Sequence, residues 1–268
     1  MNMSVKECPV LVEMSDARLA CVLAERAGEH LVKIRRFGEE QGMTPEEIGD
    51  LGDSQANDLI LGALAEARPS DAFLSEESVD APARLTADRV WIIDPLDGTR
   101  EFRTPGRTDW AVHIALWERV DETSGRLTAG AVAMPALGSV FVTDAPVLRT
   151  TPARAIDTPI SVVVSESRRP AMIEALTKLL PLELVPMGSA GAKAMAVLRG
   201  EVDAYLHSGG QWEWDSAAPV AVAMASGIHA TRIDGSPLRY NEANPYLPDL
   251  LLCRPELAHQ LLNAIARI

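Results

Sequence analysis

Residues 90–99, Val-Trp-Ile-Ile-Asp-Pro-Leu-Asp-Gly-Thr, constrain this chain more than any other stretch. Val90 to Ile93 is an unbroken apolar run that ends on a carboxylate, followed three residues later by another. Such a run, with β-branched and aromatic residues only, predicts a strand covered on both faces. A strand of that kind needs a layer on each side of its sheet. The 268 residues suffice to supply those layers, as one large domain or two modest ones. Apolar residues at 47% and charged residues at 24% exclude a disordered chain.

Around this strand the pattern predicts an α+β protein. Ser15-Asp16 caps a first helix with Leu19, Leu23, Ala27, Leu31 and Ile34 on one face. A Gly/Pro/Glu-rich stretch from Gly38 to Gly52 precedes a second helix over about Ser54–Arg68. Strands are predicted at 72–74, 90–93, 110–117, 129–134 and 140–143. Composition shifts to Pro and Thr between Asp144 and Pro159, which predicts a boundary between residues 1–150 and 151–268. Beyond it strands and helices alternate as in an α/β domain, with strands at 161–164, 183–187, 202–207, 229–233 and 250–253.

Carboxylates gather at four places read as element ends: Asp50/Asp53, Glu76-Glu77, Asp94/Asp97 and Glu213/Asp215. A solvated turn accounts for Glu76-Glu77 taken alone. Asp94 and Asp97 differ, because they sit at the mouth of a buried strand and a buried carboxylate needs a cation. No Lys or Arg lies between Val90 and Thr99, so a metal is the simplest partner. Oxygen ligands suit Mg²⁺, Mn²⁺ or Ca²⁺ rather than zinc. A calcium loop starting at Asp94 fails on spacing, since its sixth position is Thr99 and its twelfth Pro105. Gly98-Thr99 can open a short helix whose N–H groups face an anion. Metal carboxylates beside N–H donors describe a phosphate-hydrolysing centre. The aspartyl-phosphate route is excluded, because the residue two before Asp97 is Pro95 rather than a nucleophilic Asp.

The net charge of −13 argues against nucleic-acid polymers and anionic membranes as partners. Cys8, Cys21 and Cys253 form neither a CxxC nor a Cys/His cluster, as expected of a protein of the reducing cytoplasm. Glu13 interrupts the apolar Pro9–Val12 run, so no signal peptide is expected. No stretch of about 18 apolar residues predicts a membrane span.

Four blocks together are similar to the inositol monophosphatase superfamily of Mg²⁺-dependent, lithium-sensitive phosphatases. They are Leu74–Ser78, Trp91–Thr99, Gly188–Lys193 and Trp214–Ala218, and their order and spacing span most of the chain. The version Asp94-Pro-Leu-Asp-Gly-Thr-Arg-Glu-Phe102 resembles that of the CysQ-type 3′(2′),5′-bisphosphate nucleotidases, with Glu101 where inositol monophosphatases usually carry Asn. Gly210–Ala218 and Asp234–Asn241 resemble the actinobacterial members. The resemblance implies a layered α-β-α-β-α sandwich and hydrolysis of 3′-phosphoadenosine 5′-phosphate (PAP) to AMP, a step of sulfate assimilation that serves cysteine biosynthesis. It implies two Mg²⁺, or three, and inhibition by Li⁺. Glu76, Asp94 and the Leu96 carbonyl would hold one ion, and Asp94, Asp97 and Asp215 the other. Glu77 and Asp53 would orient or deprotonate the attacking water within a network that includes Thr99. Asp53 follows Gly52, where relatives often have Thr. The N–H groups of Gly98 and Thr99 would grip the scissile phosphate, with Glu76, Asp97 and Asp215 also facing the substrate. The family contains both monomers and homodimers.

Recognition of the rest of the substrate is less defined. Arg100, Arg103, Arg107, Lys193 and Arg239 are candidates for the second phosphate, and Gly188 and Ser189 for the sugar or base, although Ser189 also reads as a helix cap. His113 and His207 fall in strand patterns and read as structural. Trp212 and Trp214 read as fixing Asp215. Two alternatives stay open: an inositol-1-phosphate or fructose-1,6-bisphosphate phosphatase of the same superfamily, and a non-catalytic acidic module that binds metal or nucleotide.

Overall fold

The chain opens with two long helices, α1 (Asp16–Gln41) and α2 (Pro45–Ala67). The computed structural model describes residues 11–122, 124–147 and 158–268. Ser15 caps α1 by accepting the Arg18 N–H, and Leu19, Leu23, Ala27, Leu31 and Ile34 are all buried. Helix α2 begins nine residues before the predicted start. Thr44 and Glu47 form a reciprocal capping box at 3.2 and 2.8 Å, and Pro45 occupies the first turn, where its missing N–H costs nothing. The glycines that read as breakers sit inside the helix because other parts of the chain press on them. A Cβ at Gly52 would stand 2.9 Å from a Phe102 ring carbon and 3.1 Å from Leu96. One at Gly49 would stand 3.0 Å from the Thr99 methyl. Asp53 therefore lies on a helix, not on a turn.

The first sheet contains β1 (Ala72–Ser75), β2 (Arg89–Asp97), β3 (Ala111–Arg119), β4 (Gly125–Met134) and β5 (Ser139–Val142) in consecutive order. β1 and β2 run parallel and the remaining pairs antiparallel. Strand β2 extends beyond the predicted Ile93 to Asp97. Its register against β3 shifts between Asp94 and Asp97, a bulge that re-aims the end of the strand. A one-turn helix, α3 (Thr99–Phe102), follows Gly98, whose φ of 87° is a glycine conformation.

The second sheet is built from β6 (Ile160–Ser165), β7 (Leu182–Met187), β8 (Ala204–Trp212), β9 (His229–Thr231) and β10 (Tyr246–Cys253), in the order β7-β6-β8-β10-β9. Its β7-β6-β8 part is parallel, as the alternation predicts, while β10 and β9 add an antiparallel flank. Helices α4 (Ile173–Leu179), α5 (Ala190–Leu198), α6 (Glu213–Ala225) and α7 (Ala258–Ile265) complete the described elements.

Three cores define the layers. Helices α1 and α2 pack on one face of the first sheet, through Leu31, Ile60, Trp91 and Ile93. Helices α5 and α6 fill the space between the sheets, against Val90, Ile92, Val163 and Leu250. Helices α4 and α7 cover the far face of the second sheet, against Val162, Val164 and Leu251. The result is the α-β-α-β-α sandwich. Alternate residues of Val90–Ile93 serve two different cores, each fully buried aliphatic contributing about 1.5–3 kcal/mol. This is why the run has no polar alternation.

Each sheet comes from one side of the predicted boundary, most of which lies outside the described residues, as do Cys8 and Pro9-Val10. Cys21 and Cys253 are free and buried. Among the described residues no helix is long and apolar enough to cross a membrane.

Candidate active site

The end of β2 supplies two carboxylates on either side of its bulge. Asp94 is 1% exposed and turns back to accept the Leu96 N–H at 3.0 Å. Asp97 is also buried. The first turn of α6 brings Asp215 to the same point, held by the main-chain N–H of Trp212 at 2.5 Å, while the Trp212 and Trp214 rings stack on each other with centroids 5.4 Å apart. Ligand oxygens of Asp94, Asp97 and Asp215 lie within 4.8 Å of one another. Glu76 joins them because β1 is parallel to β2: its N–H donates to the Ile93 carbonyl at 3.2 Å, and its side chain lines the same cavity. The turn that carries it is braced on α2, where Asn57 accepts from the Ser75 hydroxyl at 2.7 Å and donates to Ser78 at 3.2 Å.

The carboxylates are not equivalent. Burial and the neighbouring Glu76, Asp97 and Asp215 push the Asp94 carboxyl well above its ordinary range. Withdrawal from water and Asp215 raise Glu76 to about 8. Burial and Asp97 raise Asp215 to about 6. Burial would raise Asp97 too, but the His113 ring, Lys193 and the Ser189 hydroxyl outweigh it and hold Asp97 well below the ordinary range. Asp97 accepts from Ser189 Oγ at 2.5 Å, from the Gly191 N–H at 2.6 Å and from the Ala190 N–H at 3.1 Å, so the α5 N-terminus docks on it. His113, fully buried, places Nε2 at 3.2 Å from the same carboxylate and Nδ1 at 3.1 Å from the Trp214 carbonyl. The histidine read as merely structural thus touches the site. Gly191 leaves room for it, since a Cβ there would overlap the ring.

A second group faces the triad from α2. The Thr99 hydroxyl lies 3.2 Å from the Leu96 carbonyl and 3.4 Å from Asp53 Oδ1, with one proton to share between them. Burial and the nearby Glu77 raise Asp53 to about 7. The four carboxylate-bearing segments of the sequence thus converge, although Glu213 turns away. It accepts the Asn241 and Glu242 N–H groups at 2.6 and 2.9 Å and fastens that loop instead.

Glu76, Asp94, Leu96, Asp97 and Asp215 line a cavity of about 300 Å³ between the ends of the two sheets, while Asp53 and Glu77 are not part of its lining. Gly98, Thr99, Arg100, Gly188, Ser189 and Lys193 line it as well. The basic residues are mostly engaged. Arg100 donates to Glu101 and to Glu166 at 3.1 Å. Lys193 donates to the Gly188 and Ser189 carbonyls at 2.8 and 2.7 Å, and burial lowers it to about 8. Gly188 donates to Asp109, and Ser189 caps α5 by accepting from Ala192. Arg103, Arg107 and Arg239 do not line this cavity: Arg103 faces Glu46, Arg107 pairs with Asp109 and Glu166, and Arg239 borders other hollows. Ser165, Ser167 and Arg168 at the end of β6 and just beyond it, with His207 and Gln211 on β8, form a wall that the sequence pattern did not reveal. The even spacing of Tyr205, His207 and Gln211 along β8 was the available signal for part of it; the 165–168 turn carried none.

Four clustered carboxylates, three of them with protonation pushed upward, fit a divalent-cation site: oxygen donors only, crowded, and short of positive charge. Such a centre beside backbone N–H groups can polarise a phosphate ester and activate water.

Comparison with known proteins agrees with this geometry. The family model described as "Inositol monophosphatase family" matches residues 14–267. A Mycobacterium bovis protein named 3′-phosphoadenosine 5′-phosphate phosphatase is 56% identical over 242 residues, covering 90% of this chain and 89% of its own. The Mycobacterium leprae protein of the same name is 52% identical over 261 residues, covering 96% and 95%. The crystal structure of CysQ from Bacteroides thetaiotaomicron superimposes with a TM-score of 0.70 at 26% identity, covering 90% of this chain and 98% of that one.

Proposed function

The chain belongs to the inositol monophosphatase family, and from that premise we propose that it hydrolyses PAP to AMP and phosphate, a step serving sulfate assimilation. The Asp94–Asp97–Asp215 triad carries the phosphatase reading, because its only evident use is to hold a cation against an anionic substrate. The choice of PAP is supported by relatives of that name at 52–56% identity over most of the chain.

Glu76, Asp94 and the Leu96 carbonyl would hold one Mg²⁺, and Asp94, Asp97 and Asp215 a second; a third, looser ion has Glu77 and Asp53 available. When bound, Mg²⁺ supplies charge neutralisation and lowers the pKa of coordinated water. The chain's own residues do the rest. The Thr99 hydroxyl and Asp53 orient a water beside the triad, and Asp53 takes its proton with Glu77 alongside. The N–H groups of Gly98 and Thr99 steady the reacting phosphate. The water oxygen forms a bond to phosphorus as the bond from phosphorus to O3′ breaks, and solvent protonates the leaving 3′-oxygen.

The test compares kcat/KM for PAP, inositol 1-phosphate and fructose 1,6-bisphosphate with Mg²⁺, and repeats the PAP assay with Li⁺, an expected inhibitor. PAP should be the best substrate. Faster turnover of inositol phosphate would overturn the substrate assignment, and no phosphate release from any of the three would favour a non-catalytic binding module.

A further inference from the structure

PAP carries two phosphates on one ribose, and only one of them can occupy the carboxylate end of the cavity. The other is a dianion that must lie along the remaining wall, where it needs a cation with unspent donors. Most of the positive charge near the cavity is already spent. Arg100 is tied to Glu101 and Glu166, Arg107 to Asp109 and Glu166, and the buried Lys193 to two carbonyls of its own loop. Among the cavity-lining basic groups, only the Arg168 guanidinium makes no hydrogen bond or ion pair within the described residues.

The local structure aims it there. Ser165 ends β6 and residues 166–168 follow it. The Glu166 N–H donates to the Met187 carbonyl at 3.1 Å, while the Glu166 carboxylate is clamped by Arg100 and Arg107 at 3.1 and 2.9 Å. Two residues on, the Arg168 N–H donates to Ser165 Oγ at 3.1 Å and closes the turn. Glu166 thus absorbs the neighbouring arginines, which leaves Arg168 on the cavity wall beside the two serine hydroxyls.

The wall behind is polar and unsatisfied. Gln211 is 6% exposed, and neither its amide oxygen nor its amide nitrogen has a partner. His207, also 6% exposed, faces the Gly210 carbonyl at 2.9 Å through Nε2, so Nε2 carries the proton and Nδ1 is left as an unpartnered acceptor. Buried polar atoms without partners are rare in folded chains. Beside the unpaired arginine these three mark a place for a polar ligand: the Gln211 amide nitrogen can donate to it, Gln211 Oε1 and His207 Nδ1 can accept from its hydroxyl or amino groups, and the Arg168 guanidinium is the group that can meet its charge.

We propose that Arg168 binds the phosphate that is not cleaved, with Ser165 and Ser167 as additional donors, and thereby sets the preference for a bisphosphorylated over a monophosphorylated nucleotide. This rests on the PAP reading above. Arg168 is a substrate-binding and specificity residue, with no part in the bond-breaking step.

The experiment measures kcat and KM on PAP and on 3′-AMP, which presents the same reacting 3′-phosphate without the 5′ one, for the wild-type enzyme with Mg²⁺ and for R168Q and R168K. Arg168 is exposed and outside the cores, so both variants are expected to fold. R168Q should lose about 10- to 100-fold in kcat/KM on PAP, mainly through KM, as expected for one charge-assisted contact, with 3′-AMP unchanged. R168K should fall between R168Q and wild type. Equal losses on both substrates, or an unchanged PAP to 3′-AMP ratio, would overturn the assignment of Arg168 alone. Absence of PAP turnover by the wild-type enzyme would overturn the substrate reading and take this proposal with it.

Discussion

Without metal the carboxylate centre should oppose folding, and Asp215→Asn exposes how strongly. In the metal-free protein, burial and Asp97 raise the Asp215 carboxyl from 3.8 to about 6. The folded state then binds this proton more tightly than the unfolded state does. Stability therefore falls as pH rises from about 4 to about 6, and the loss is complete above that range. A shift of about two units corresponds to up to about 3 kcal/mol. Asn keeps an oxygen that can accept the Trp212 N–H, while it removes the charge from beside Asp94 and Asp97. Urea unfolding followed by tryptophan fluorescence, with a chelator at pH 8, should show the variant more stable than wild type by about 1–3 kcal/mol. The gap should close toward pH 4. Saturating Mg²⁺ should reverse the order, because binding at 100 times Kd adds about 2.7 kcal/mol to the wild type and less to the variant. A variant less stable than wild type in chelator at pH 8 would refute the argument.

Two further outcomes test how the scaffold holds the site. Thr44→Ala removes half of the α2 capping box and should lower the unfolding free energy by about 1 kcal/mol, read from the urea midpoint, with kcat unchanged. Gly52→Ala should destabilise by about 1–3 kcal/mol despite a helix-propensity gain of about 1, because its Cβ meets Phe102 and Leu96. The same change should lower kcat by shifting Asp53 against Thr99; unchanged stability and rate would show that α2 can retreat freely.

Legibility from sequence followed the strength of the local signal. The Val90–Thr99 run announced a doubly covered strand ending in a metal-type carboxylate pair, and Trp91/Ile93 and Val90/Ile92 do face two different cores. Glu76 and Asp215 were legible only as parts of short blocks, since a parallel strand and a helix end bring them in from other parts of the chain. The start of α2 was misread because Gly49 and Gly52 look like breakers; their reason is tertiary, a close approach to β2 and α3. The same limit hid the cation pattern. Arg100, Arg107 and Arg168 look alike in a sequence, and only the positions of Glu101, Asp109 and Glu166 separate the engaged pair from the unpaired one. His113 and His207 read as strand histidines because nothing in a period of two says that one abuts Asp97 and the other lines a cavity.

On the proposed function, the converged carboxylates at the end of β2 carry metal-dependent hydrolysis of PAP. Phosphate release from PAP, measured for wild type and Asp94→Asn with Mg²⁺ and with chelator, tests it most directly. Wild type should release phosphate only with Mg²⁺, and the variant, folded by circular dichroism, should release none in either condition. Wild-type rates from the variant, or from the chelated enzyme, would contradict the account.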